Sequence, residues 1–113
     1  MHSSPYTRPV RILHLEDSEL DHDLVARTLR KSGMTCDMTR VETLEALLQA
    51  LHDTRFDVIL ADYRLPGFTA LDAWSSLQAQ SPRPPFILLS GAIGESAAVE
   101  AIKLGISDYL LKD

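Results

Sequence analysis

Short apolar runs recur along this chain, and between them the apolar residues fall at helical spacing. Strand signals lie near 10–15, 35–41, 57–62, 86–90 and 108–112, and helix signals near 18–32, 43–53, 69–80 and 96–104. Consecutive parallel strands need a crossover, for which a helix is the usual element. Strict alternation of the two therefore specifies an α/β domain, a parallel sheet covered by helices on both faces.

The helices carry their own signatures. Leu44, Leu47, Leu48 and Leu51 fall at i, i+3, i+4 and i+7 and make one apolar stripe. Ser18-x-x-Asp21 and Thr69-x-x-Asp72 read as capping boxes, and Gly33 and Gly105 end helices by taking a left-handed conformation. With 113 residues, 45% of them hydrophobic, the chain is one domain, expected as a flexible tail over 1–9 and a folded unit over 10–113. A formal charge of −5 argues against direct contact with nucleic acid or an anionic membrane, both of which need clustered cations. The single Cys36 cannot form an internal disulfide, and no apolar run is long enough for a signal or a membrane span, so the expected location is cytoplasmic.

The strand ends carry the chemistry. The first run ends at Glu16-Asp17, the third at Asp62, the fourth at Ser90 and the fifth at Lys112. In a parallel sheet these carboxyl ends share one edge, where open α/β folds bind ligands. The expected order is 2-1-3-4-5, doubly wound and flavodoxin-like. Right-handed crossovers then put the first helix on one face and the next three on the other. A final helix that would join the first is absent from this chain. We expect either a fragment of a longer protein, which is favoured, or a face covered by a partner or a second copy, with self-association or marginal stability as the consequence.

This set of residues resembles the receiver domain of two-component response regulators (CheY-like), from Val10 to Asp113. Glu16-Asp17 match that family's acidic pair, Asp62 its phosphoacceptor, Ser90 its hydroxyl, Lys112 its lysine and Tyr109 its switch aromatic. The segments Asp62-Tyr63-Arg64-Leu65-Pro66-Gly67-Phe68, Ser90-Gly91-Ala92-Ile93-Gly94-Glu95 and Asp108-Tyr109-Leu110-Leu111-Lys112-Asp113 look like receivers attached to sensor kinases or signalling output modules. The resemblance implies Mg²⁺ held by Asp17 and Asp62 directly, by Glu16 through water and by the Arg64 carbonyl. It also implies phosphate contacts from Lys112 and Ser90, and a switch through Ser90 and Tyr109. Three carboxylates alone would repel a phosphoryl group, so the chemistry itself calls for a hard divalent cation. The implied partners are a histidine kinase or histidine phosphotransfer protein upstream and an output domain or protein downstream, with a homodimer possible. Such a protein is a signalling phosphoacceptor that catalyses only its own modification. One departure is Lys112-Asp113, where the family usually has a cis proline; without proline a cis bond costs about 2.5–4 kcal/mol, so trans is expected.

Blander readings exist for each residue. An acidic pair can simply favour a helix N-terminus, Ser90 can be a turn residue, Lys112 a solvated charge, and Tyr109 strand packing. Trp74 with Leu71 and Leu77 reads as core. His2, His14, His22 and His52 lack metal-ligand spacing and read as structural or exposed, with His22 near enough to the acids to touch a kinase. Among whole-chain alternatives, a phosphorylation-independent receiver-like interaction module is opposed by the intact Asp17, Asp62, Ser90 and Lys112. A flavin protein needs a phosphate-cradling loop where Leu15-Glu16-Asp17-Ser18 is acidic, and a haloacid-dehalogenase-type phosphatase needs an acid where Arg64 stands.

Overall fold

The computed structural model describes residues 8–79, 83–90, 106 and 108–111. Its elements in chain order are β1 (Val10–Leu15), α1 (Glu19–Lys31), β2 (Cys36–Val41), α2 (Leu44–Asp53), β3 (Val58–Asp62), β4 (Arg64–Leu65), β5 (Phe68–Thr69), α3 (Ala70–Ser76), β6 (Phe86–Ser90) and β7 (Asp108–Leu111). The five longer strands form one sheet in the order β2-β1-β3-β6-β7, every pair parallel. Setting aside the small β4–β5 pair, that is the expected 2-1-3-4-5. The expected helix over 96–104 lies outside the described residues.

Alternation along the strands divides the apolar residues between two faces. Leu13 and Leu15 of β1, Ile59 and Ala61 of β3, and Phe86 and Leu88 of β6 join Leu47 of α2 and Ala70, Ala73 and Trp74 of α3 in the main core. Ile106 is buried in the same cluster. Trp74 meets Phe86 edge-on, with ring centroids 5.3 Å apart, which confirms it as core. The intervening strand residues Ile12, His14, Leu60 and Leu89 are also buried but lie outside that cluster, as does Ala26 of α1.

Helix α1 ends as its glycine requires. Gly33 sits at φ +94°, its N–H donates to Arg30 O, and the Met34 N–H reaches back to Leu29 O, the paired bonds of a Schellman motif. At the start of α3, Thr69 and Asp72 form the full reciprocal capping box. At α1 the Ser18 hydroxyl accepts from the Asp21 N–H, while the Ser18 N–H donates to Glu16 Oε2 at 3.3 Å. The cap is thus joined to the acidic pair. Helix α3 is shorter than the expected 69–80: its apolar face finishes at Leu77, and the Leu77 and Gln78 N–H groups take i−3 carbonyls, tightening the last turn. Pro66 and Gly67, the latter at φ +85°, occupy the centre of a tight turn that pairs β4 with β5. Among the described residues no helix is long and apolar enough to cross a membrane.

Candidate metal centre

Sheet register brings the acids together across 45 positions of sequence. Leu15 pairs with Ala61, so β1 and β3 end side by side, and the next residues are Glu16-Asp17 on one and Asp62 on the other. The Glu16 N–H extends the ladder to Val41 O at 2.9 Å, which fixes where the acidic pair leaves the sheet. One carboxylate oxygen from each of Glu16, Asp17 and Asp62 lies within 4.8 Å of the others. Glu16 is buried, Asp62 half-buried and Asp17 exposed. Three carboxylate oxygens at that spacing repel one another when ionised, and an all-oxygen donor set of this kind suits a hard cation. The cluster can hold a metal ion.

The acids are framed by polar contacts. Arg40 of β2 donates to the Glu16 carbonyl at 3.2 Å and to the Glu42 carboxylate at 2.8 Å. His14 is fully buried, with Nε2 3.9 Å from Glu16 Oε1 and Nδ1 2.9 Å from Nδ1 of His22. Burial lowers the His22 pKa below the ordinary histidine value, with Arg40 adding to the effect and Asp23 and Glu19 opposing it. At the opposite edge of the sheet, Asp57 accepts from the Arg11 N–H at 2.8 Å and pairs with the Arg8 guanidinium. These bonds hold its carboxyl below the usual range.

The remaining expected site residues are placed by the backbone. Asp62 ends β3, and β6 ends at Ser90, beside it in the sheet, since Asp62 pairs with Leu89. Tyr109 lies on β7 opposite Leu88, and Ser90 opposite Leu111. Arg64 lies on β4, paired with Thr69. The side chains of Arg64, Ser90 and Tyr109, and the whole of Lys112, lie outside the described residues. The histidine pair went unread because its members are eight positions apart on a strand and a helix, with no motif spacing. Strand alternation was the available signal: His14 and Glu16 are two residues apart and so share a face.

The response regulator receiver domain model matches residues 12–113. The chain belongs to that family. Receiver domains are signalling phosphoacceptors rather than enzymes that turn over a separate substrate. This receiver is 34% identical over 89 residues to the DNA-binding transcriptional regulator NtrC of Escherichia coli K12, an alignment covering 79% of this chain and 19% of NtrC. It thus spans about a fifth of that relative's length. Among solved structures it resembles the phosphorylated cyanobacterial phytochrome response regulator RcpA, with a TM-score of 0.80, 22% identity and coverage of 94% and 82% of the two chains. It also resembles the Mn²⁺-bound form of response regulator Rcp1, with a TM-score of 0.78, 24% identity and coverage of 93% and 82%. At such identities the structural likeness establishes the shared fold.

Proposed function

We propose that this receiver domain accepts a phosphoryl group on Asp62 from a phosphohistidine of a kinase or phosphotransfer protein, with Mg²⁺ as cofactor, and thereby changes its affinity for an output domain or protein. The observation that carries the reading is the convergence of Glu16, Asp17 and Asp62 at the carboxyl edge of the sheet, with their oxygens within 4.8 Å of one another. The relatives add support, since RcpA was solved phosphorylated and Rcp1 with Mn²⁺ bound.

In this reading Asp17 and Asp62 would hold the ion directly, Glu16 would hold it through water, and the Arg64 carbonyl would complete the protein's share. When bound, the cation supplies neutralising charge to the phosphoryl oxygens. An Asp62 carboxylate oxygen attacks phosphorus, the P–N bond to the donor histidine breaks, and the P–O bond of an acyl phosphate forms. Lys112 presents an ammonium and Ser90 a hydroxyl to the phosphoryl oxygens. Hydrolysis returns the carboxylate and inorganic phosphate, so the mark is temporary. Ser90 and Tyr109 report the change to the partner-binding surface. The test is transfer from a phosphohistidine protein with Mg²⁺ or with EDTA. Label should appear in wild type with Mg²⁺ only and be absent from Asp62→Asn; equal labelling of that variant would refute the assignment.

A further inference from the structure

Neither metal binding nor phosphoryl transfer uses His14 or His22, although a buried imidazole is costly to desolvate at a strand position that an aliphatic side chain fills. His14, the second-to-last residue of β1, is 0% exposed. His22 comes from the first turns of α1, and the rings are tilted by 34° with centroids 5.2 Å apart. Nδ1 atoms 2.9 Å apart require one donor and one acceptor.

The acid beside the pair decides which is which. His14 Nε2 faces Glu16 Oε1 at 3.9 Å, a distance at which the contact is electrostatic rather than a hydrogen bond. A proton on that nitrogen is attracted to the carboxylate, whereas a lone pair there is repelled. In a neutral His14 ring a proton on Nε2 leaves Nδ1 to accept, and His22 then donates from Nδ1. The other Glu16 oxygen, Oε2, takes the N–H of Ser18, whose hydroxyl caps α1. One oxygen of the buried acid thus meets the α1 cap and the other faces the imidazole pair, whose second ring lies on α1. We propose that His14 and His22 are positioning residues, an ordered imidazole pair that ties α1 to the Glu16 carboxylate and so sets the metal affinity of the acidic pocket. The link to metal affinity rests on the metal site proposed above; the hydrogen-bond roles do not.

Two measurements on the full 113-residue chain separate these parts. Long-range ¹⁵N–¹H correlation spectra of the imidazoles should show His14 protonated at Nε2 and His22 at Nδ1; rings that average between tautomers, or the reverse assignment, overturn the pair. Mn²⁺ affinity, read by electron paramagnetic resonance with the metal alone, is then compared across wild type, His14→Leu and His14→Gln, with circular dichroism as the check of folding. Gln keeps an N–H near the place of Nε2. Leu should weaken binding about 10-fold, as loss of a group supporting a metal ligand does, and Gln should bring it back to within about twofold. Equal affinity in all three overturns the positioning role. His22→Leu against His22→Asn repeats the contrast on the half-buried helix side if a core variant fails to fold. A wild type that binds no Mn²⁺ while showing the assigned tautomers overturns the metal site and the link to it, and leaves the imidazole pair standing.

Discussion

Removing the charge of Asp62 should stabilise the metal-free protein, even though it destroys the proposed phosphoacceptor. Three carboxylate oxygens lie within 4.8 Å of one another, and Asp62→Asn eliminates two of the three repulsive pairs. At that separation each pair costs about 0.9 kcal/mol at the dielectric constant of water and about 3.5 kcal/mol at an effective value near 20. Asp17 is exposed, which places its pairs near the lower figure, and Asp62 has a further interaction that the substitution also changes. The net gain expected is roughly 1–2 kcal/mol at low ionic strength, shrinking as salt screens the exposed charge. In a domain of this size that raises the melting temperature by roughly 4–6 °C per kcal/mol. Thermal denaturation followed by circular dichroism in EDTA measures it directly. Repeating the scans in millimolar MgCl₂ adds the second half: wild type gains stability by mass action, while the variant gains much less. A variant that melts below wild type in EDTA, or gains as much from Mg²⁺, would refute the electrostatic reasoning.

Other perturbations probe the frame that holds the site. Phe86→Ala empties a fully buried position against Trp74 at the start of the strand that ends in Ser90, and should cost about 3–5 kcal/mol by urea denaturation; a loss below about 1 kcal/mol would mean the ring is not packed as described. Thr69→Ala breaks the α3 capping box and should cost about 0.5–2 kcal/mol, while Thr69→Ser should restore most of it. Two groups also make stability fall on the acid side. Asp57 and His22 both have folded pKa values below their ordinary ones, so each contribution is complete above the unfolded pKa and is lost as pH falls through the folded one. The wild-type advantage over Asp57→Asn should therefore be present at pH 6 and shrink towards pH 3. An advantage that grew in acid would contradict the bonds from Arg11 and Arg8.

Legibility in the sequence followed the length and period of each element. Five apolar runs bounded by turn residues announced the sheet, and the residue after each run announced the edge at which Glu16, Asp17 and Asp62 meet. Gly33 was readable because only a left-handed residue closes the Schellman motif it sits in. The β4–β5 pair was visible only as a Pro66-Gly67 turn, since two-residue strands are too short to show alternation. Helix α3 was drawn too long because Gln78 and Ala79 are compatible with a helix, while the apolar anchor that holds one stops at Leu77. Ser18-x-x-Asp21 announced the cap of α1, but not that the nearby Glu16 carboxylate accepts from the Ser18 N–H. The contact between His14 and His22 depends on how α1 lies against β1, a tertiary relation that no local spacing encodes.

Trapping the phosphoryl group chemically locates it without relying on any substitution. The protein is incubated with Mg²⁺ and a small acyl phosphate, reduced with borohydride, which converts an aspartyl phosphate to homoserine, and mapped by peptide mass spectrometry. The modification should fall on Asp62 and vanish when EDTA replaces Mg²⁺. Modification of Asp17 or another carboxylate in place of Asp62, or of Asp62 equally without the metal, would contradict the proposed site.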